Sequence, residues 1–500
     1  MKKEGWYTIK VFSKILEAGN TLFWGVPMLV LILGTGICIS LYCRAPQFRL
    51  FPEALRAFGR RFSGRDREGQ SSYRALCTAL AATVGTGNIA GVAGAVAIGG
   101  PGAVFWMWIS ALLGMATKFA ESTLSVRYRI TGADGRYRSG PMYMIRQGLG
   151  EKWSFLGKLY SLFGLFAALG VGNATQVNAV TTALEQAGRS YGYTISHGTG
   201  IAVALILAVL VAAMVSGGAE KIGSVAETLV PVAAGAYILV CLAALWMRRA
   251  FLPGVLHSIL LGAFSPEAVT GGLVGTMLQS VRIGVSRGVF TNEAGMGTAA
   301  MAHGAARVSH PVEQGLMGIM EVFLDTILIC TLTAFVILTG DVAIPYGQSA
   351  GSELTASALS AGLGPWVSAF LCACLCLFAL ATILGWGLYA GRCAEYLLGG
   401  MNWRVFAGCQ ALGVFLGAVL ETGMIWSLSE FMNALMAIPN LLALICLLPE
   451  LRRLTIDYQK LKQSHSAVGG TYENFHQCKP LRALSHEKVP PLCSGSREEG

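Results

Sequence analysis

Residues 84–92 read VGTGNIAGV, in the middle of an uncharged stretch that runs from Ala75 to Ile98. Such a stretch is long enough to cross a bilayer as a helix. Its centre nevertheless holds Gly85, Gly87 and Gly91, with Thr86 and Asn88 among them. Glycine weakens a helix by about 1 kcal/mol relative to alanine. An amide side chain in hydrocarbon is costly unless something bonds to it. The stretch reads as a membrane helix that unwinds at Gly85-Thr86-Gly87.

Composition supports the membrane reading. Only 13% of residues are charged and 54% are hydrophobic, whereas soluble chains carry roughly twice that charged fraction. The 63 glycines suit closely packed membrane helices. Much of the net charge of +10 lies in loops and the tail, where it bears on topology and gives no sign of nucleic-acid binding. The 13 cysteines form no ligand or disulfide framework. Cys372, Cys374 and Cys376 are two apart, so on a helix they point in different directions. The first apolar run, Trp24 to Cys43, is too long for a signal-peptide core and lacks a clear cleavage site.

Apolar runs predict an all-α, polytopic membrane protein with about eleven spans. They fall near 22–43, 73–98, 102–126, 156–186, 199–217, 222–247, 270–303, 313–340, 364–397, 404–421 and 424–448. The loop after the first span holds Arg44, Arg49, Arg56, Arg60, Arg61, Arg65 and Arg67, and the loop after the third is similarly basic. Both are expected on the cytoplasmic side. That puts the N-terminus outside and the C-terminus in the cytoplasm of a multi-pass cell-membrane protein. Lys2, Lys3, Lys10 and Lys14 oppose this mildly. Residues 1–21 form an N-terminal segment, and residues 455–500 read as a disordered tail.

Polar clusters recur at membrane depth: VGTGN, then GVGNATQVN (170–178), RGVFTNEAGMGTAAMAH (287–303) and TILGWGLY (382–389). Irregular backbone and polar groups are tolerated there only where they are buried in protein or line a wet cavity. The first and third clusters interrupt the second and seventh spans. With the span at 22–43 set aside as an extra, residues 73–247 and 270–448 become two sets of five, each opening on a broken helix. An odd repeat must be inverted in the membrane, and paired broken segments point to a secondary transporter's site. After the break, the half-helix N-terminus offers free N–H groups to a carboxylate. Carbonyls before it, near Ala81 to Val84, can ligate a small cation. The plainer reading, small residues that permit close helix crossing, suits Gly91 and Gly94.

The ordered series ATVGTGNIAGVA, GGPGAVFWMW, GMATKFAE, GVGNATQ, RGVFTNEAGMGTA and TILGWGLYAGRC resembles the alanine or glycine:cation symporter family, over nearly all of residues 20–450. The resemblance implies a LeuT-type fold and sodium-coupled uptake of alanine or glycine, with no cofactor. It also implies a substrate pocket of Gly85, Thr86, Gly87, Asn88, Gln176, Phe290, Asn292, Thr382 and Trp386. Trp386, one turn from Thr382, would cap the pocket and limit the side chain to about a methyl; the alternative is an ordinary core aromatic. Gln176 and Asn178 could instead be interhelical glue, and Gln176 is the preferred pocket residue. The implied sodium ligands are the carbonyls of Ala81 and Val84, the Asn88 side chain and the Thr382 hydroxyl.

The chain departs from the family pattern in two places. Ala381 stands where a serine usually precedes the threonine, which removes one hydroxyl ligand and puts the coupling ion in question. SGPMYMI (139–145) replaces GGPMYYI. The alternatives are therefore a proton-coupled or sodium-independent carrier, or a sensor that binds alanine without flux. There is no HExxH motif, and the midplane clusters lack a His–carboxylate–nucleophile set, so the sequence does not favour an enzyme. Among ionisable residues in or near spans, Lys118 and Glu121 are expected to pair on one face. Glu321 and Asp325, of like charge, are expected to find water or different partners, Glu293 lies inside the second break, and His303 reads as a packing residue.

Overall fold

A computed structural model describes residues 19–20, 24–62, 70–194, 196–274, 276–419 and 422–467. Nearly all of them are helical. Along the chain come α1 (Val26–Tyr42), α2 (Phe51–Phe62), α3 (Gln70–Thr83), α4 (Ala90–Gly99), α5 (Gly102–Arg127), α6 (Ser154–Ala167), α7 (Thr175–Ser190), α8 (His197–Val215), α9 (Gly218–Met247) and α10 (Leu252–Phe264). Then follow α11 (Met277–Asn292), α12 (Thr298–His303), α13 (Pro311–Val322), α14 (Thr331–Thr339), α15 (Ser352–Leu363), α16 (Trp366–Leu398), α17 (Trp403–Val419), α18 (Thr422–Cys446) and α19 (Leu448–Ala467). One two-stranded hairpin pairs Ile130–Thr131 with Tyr137–Arg138. Wide π-helical turns join α6 to α7 (Ala168–Ala174) and α13 to α14 (Phe323–Cys330).

Among the described residues, seven helices are long and apolar enough to cross a membrane, or eight if one bent pair counts as a single span. The protein is a polytopic membrane protein. The expectation of about eleven came from counting apolar runs. Of these, Val26–Tyr42 and Trp403–Ala418 form shorter apolar helices. The run at 270–303 is split into sixteen-residue α11 and six-residue α12. A window of sequence hydropathy merges such pieces, because it does not register where the backbone leaves the helix.

Two long helices organise the packing. α5 lies against α1, α10, α11 and α13, while α16 lies against α3, α6, α7 and α9. Small residues allow this closeness. A methyl on Gly385 of α16 would stand 2.8 Å from the Ala82 backbone nitrogen of α3.

Four elements went unread in the sequence: α2, α10, α15 and the hairpin. α2 is amphipathic and buries Ala54, Ala57 and both of its inward charges, Glu53 and Arg61. Glu53 also corrects the expected tail. α19 continues to Ala467, because Leu451, Leu454, Thr455 and Tyr458 are buried. The Tyr458 hydroxyl donates to Glu53 Oε1 at 2.7 Å, and Lys462 Nζ reaches Glu53 Oε2 at 2.6 Å. Composition hid this helix because its apolar face is only one stripe wide. The remainder of that tail, 468–500, and nearly all of the N-terminal segment 1–21 lie outside the described residues.

Candidate transport site at two helix breaks

The first break forms where the sequence asks for it. α3 closes with Val84 N–H on Leu80 O at 2.7 Å; Gly85 is then extended, and Thr86–Asn88 make a single 3-10 turn. The two halves meet at a bend of 60°. Gly85 N–H, which would continue the helix to Ala81 O, instead donates to Asn88 Oδ1 at 2.8 Å. Asn88 N–H likewise goes to Gly85 O at 3.2 Å rather than to Val84 O. The carbonyls of Ala81 and Val84 thereby lose their helical donors. The N–H groups of Thr86 and Gly87 have no acceptor among the described residues. Donors and acceptors are left free on opposite sides of one turn, as a helix interruption requires.

Other elements close around this turn. A Cβ on Gly85 would stand 2.7 Å from Thr382 Oγ1, so the absence of a side chain lets α16 approach. Thr382 Oγ1 is itself buried and has no hydrogen-bond partner among the described residues. Thr86 Oγ1 donates to Gln176 Oε1 at 3.3 Å; Gln176 Nε2 is held by Val171 O at 3.1 Å and Thr175 Oγ1 at 3.3 Å. The π-helical turn before α7 presents that Val171 carbonyl to Gln176. Gly87 faces α11: a Cβ there would meet Thr291 Cγ2 at 3.3 Å and Phe290 Cδ1 at 4.0 Å. Trp386 is buried with its Cβ against Gly172 and its ring 5.9 Å from that of Tyr389.

The second break spans Glu293 to Gly297, with positive φ at Glu293, Gly295 and Gly297. Glu293 Oε2 accepts from Thr298 Oγ1 at 2.6 Å. Glu121 Oε1 of α5 accepts from the N–H groups of Gly295 at 3.1 Å and Gly297 at 2.9 Å, and from Asn440 Nδ2 at 2.7 Å. The free donors of this break are thus already filled by a carboxylate of the protein.

One hydrogen-bonded chain joins the breaks. From Gly85 N–H it passes through Asn88 to Asp325, whose Oδ1 accepts from Asn88 Nδ2 at 2.7 Å. Thr326 Oγ1 donates to Asp325 Oδ2 at 2.7 Å, and Asn292 Nδ2 donates to Thr326 Oγ1 at 3.1 Å. Ala294 N–H ends the chain on Asn292 Oδ1 at 3.0 Å. Asn88 Nδ2 also reaches the Asp325 carbonyl at 3.2 Å, inside the second π-helical turn.

The predicted residues therefore divide. Three pairs meet at the first break: Gly85 with Thr382, Thr86 with Gln176, and Gly87 with Phe290. Asn88 and Asn292 are committed to holding the breaks in shape, though Asn88 Oδ1 keeps one lone pair. Asp325 was missed as a central residue. Its signal was a carboxylate within a span, which by itself marks function; only its partners were invisible.

A second buried network lies beside the second break. Lys118 Nζ pairs with Glu321 Oε1 at 2.9 Å and His303 Nε2 with Glu321 Oε2 at 2.8 Å, all three side chains fully buried. Gln314 Nε2 lies 2.6 Å from His303 Nδ1, and Ser72 donates to Gln314 Oε1. The expected Lys118–Glu121 pair does not form; Lys118 turns to α13. Glu321 and Asp325 do find different partners.

The family model for the sodium:alanine symporter family matches residues 9–469. An uncharacterised transporter of Haemophilus influenzae is 42% identical over 91% of this chain and 98% of its own length. The sodium/alanine symporter AgcS of Methanococcus maripaludis is 39% identical over 87% of this chain and 95% of its own. The probable sodium/glutamine symporter GlnT of Bacillus subtilis is 36% identical over 91% of this chain and 92% of its own. These relatives are transporters by name and are not enzymes.

Proposed function

The chain belongs to the sodium:alanine symporter family, and from that premise we propose that it takes up a small neutral amino acid, alanine or glycine, together with sodium by alternating access. The fold under this reading is of the LeuT type, with eleven spans: an extra helix at 22–43 and two inverted repeats of five at 73–247 and 270–448. The N-terminus is outside and the C-terminus is in the cytoplasm.

The observation that carries the reading is the first break. The unpartnered N–H groups of Thr86 and Gly87 suit a carboxylate, and the freed carbonyls of Ala81 and Val84 suit a cation on the other side of the turn. The buried hydroxyl of Thr382, beside Gly85 and lacking a partner among the described residues, supplies a further oxygen. A substrate bound there adjoins Gln176 and Phe290, with Trp386 as the cap. Asn88 completes the cation's oxygens through its free lone pair, and Asn292 holds the second break in register.

The cation's role is to offset the negative charge gathered at the site. A dehydrated sodium needs oxygen ligands, which the break's carbonyls supply, while the amino acid's carboxylate takes the N–H groups across the same turn and is attracted to the cation's charge. Each ligand thus improves the site for the other, which is the coupling that symport requires. Uptake of labelled L-alanine into proteoliposomes, with an inward sodium gradient, a proton gradient or neither, tests the reading. Acceleration by sodium supports it. Binding without flux would make the protein a sensor instead.

Ala381 favours a second reading, in which the missing hydroxyl shifts coupling to protons or removes it. Ala381→Ser should then increase the sodium dependence of uptake. An unchanged sodium response would discard that reading.

A further inference from the structure

A cleft of about 440 Å³ lies where α1 ends and α19 begins, lined by Cys38, Leu41, Tyr42, Arg44, Leu448 and Arg452. α1 packs against both α18 and α19. On its outer side Val26, Val30, Ile37 and Leu41 are exposed and share one helix face. α18 ends on a similar exposed pair, Leu442 and Ile445. In a polytopic membrane protein such faces meet acyl chains. Both run into the cleft, since Leu41 and Leu448 form its apolar wall. Immediately beyond, α19 turns polar with Glu450, Arg452, Arg453 and Asp457. The cleft therefore stands at the edge of the apolar zone, at the level of lipid head groups.

The arginines at this edge are not equivalent. Arg49 Nη2 donates to Cys43 O at 3.2 Å, and Arg127 and Arg453 share Glu450 at 2.8 and 2.9 Å. Arg44 and Arg452 are exposed and meet no carboxylate among the described residues. The Arg452 guanidinium lies 5.1 Å from the centre of the Tyr42 ring. That contact occupies the flat face of the guanidinium and leaves its N–H edge open. Arg44 stands where the chain leaves α1 by a left-handed turn, with φ of 58° there and 47° at Ala45, a conformation costly for residues with a Cβ. Two open guanidiniums beside an apolar wall match a phosphodiester that carries hydrocarbon. Their forks suit phosphate oxygens, and the exposed stripes of α1 and α18 suit the chains. A soluble anion would use the arginines and leave Leu41 and Leu448 in water.

We propose that this cleft binds the head group of an anionic phospholipid, its phosphate held by Arg44 and Arg452 and its chains lying along α1 and α18, so that the lipid bridges α1 to α19. The test uses the full-length protein in detergent, titrated with fluorescent phosphatidylglycerol, and with phosphatidylcholine as the neutral lipid. Arg44→Gln/Arg452→Gln should raise the Kd for phosphatidylglycerol about tenfold or more and leave that for phosphatidylcholine unchanged. Arg249→Gln/Arg404→Gln removes the same charge from exposed arginines elsewhere and should change the Kd less than about twofold. Arg44→Lys/Arg452→Lys keeps the charge without the fork, so its Kd should fall between wild type and the Gln pair. Saturating phosphatidylglycerol should raise the melting temperature of the wild type and not that of the Gln pair. Should the Gln pair fail to fold, Arg44→Gln and Arg452→Gln singly should each raise the Kd about threefold. An unchanged Kd in the Gln pair or in both singles, or an equal loss in the Arg249/Arg404 control, overturns the site. Displacement of the lipid by millimolar inorganic phosphate would make this a soluble-anion site and overturn the lipid assignment.

Discussion

Asn88 and Asp325, distant in sequence, are locked together: the Asn88 amide donates to the Asp325 carboxylate at 2.7 Å and to its backbone carbonyl at 3.2 Å. The other end of the same amide takes the Gly85 N–H. One side chain therefore sets the shape of the first break and ties it to the π-helical turn that reaches the second.

Removing that donor should cost function more than expression. Asn88→Ala leaves a fully buried carboxylate short of one partner, a loss of about 1.5–3 kcal/mol for a bond to a charged group. Uptake should fall at least tenfold while the protein still reaches the membrane. Asp325→Asn keeps the size and loses the charge, so it should retain more thermal stability in detergent than Asp325→Ala. Full uptake by Asn88→Ala would show that the joined breaks do not matter for transport.

Thr382 offers a cleaner separation of stability from ion binding. Its hydroxyl has no partner among the described residues, so Thr382→Val should leave the melting temperature nearly unchanged. If the hydroxyl ligates sodium, the half-saturating sodium concentration should rise about tenfold. A sodium response identical to wild type would remove Thr382 from the cation site.

Gly85→Ala tests the close approach of α16. Gly85 has φ of −155°, which any residue adopts, so the effect is steric and not conformational. The new methyl would stand 2.7 Å from Thr382 Oγ1. Uptake should drop below about a tenth, and Thr382→Ala added to it should restore alanine binding in part. No rescue by the second change would place the clash elsewhere.

Lys118 and Glu321 form a buried pair whose single loss is more harmful than its joint loss. Lys118→Met leaves the Glu321 charge with His303 alone, and breaking such a pair costs about 3–5 kcal/mol. Lys118→Met/Glu321→Gln should recover much of that in a thermal melt. A double variant no more stable than Lys118→Met would refute the pairing.

His310 predicts a pH dependence. It caps α13, its Nδ1 accepting Val312 N–H at 3.2 Å, with its ring 5.2 Å from that of Tyr458. Burial pushes its pKa down to about 4, against a smaller upward pull from Asp457. The unfolded chain, with a pKa near 6.5, binds the proton first as pH falls. The stability contributed by neutral His310 is therefore complete above about pH 6.5 and lost progressively toward pH 4. His310→Asn can still cap the helix and should flatten this part of the stability profile, read from melts between pH 4 and 7.5.

Much of this molecule was legible in one dimension. Glycines and amides inside an apolar run cannot continue a membrane helix, so both breaks were visible at Gly85–Gly87 and around Glu293. The pocket candidates came from the family resemblance, carried onto the polar clusters that the same rule marks at membrane depth. What sequence could not supply was the partner. Which carboxylate meets Asn88, whether Lys118 turns to Glu121 or to Glu321, and what fills the donors at Gly295 and Gly297 depend on how α5, α11 and α13 come together. Local spacing fixes which residues share a helix face; only tertiary packing decides which faces meet, because a buried charge pairs with whichever opposite group lies nearest in space.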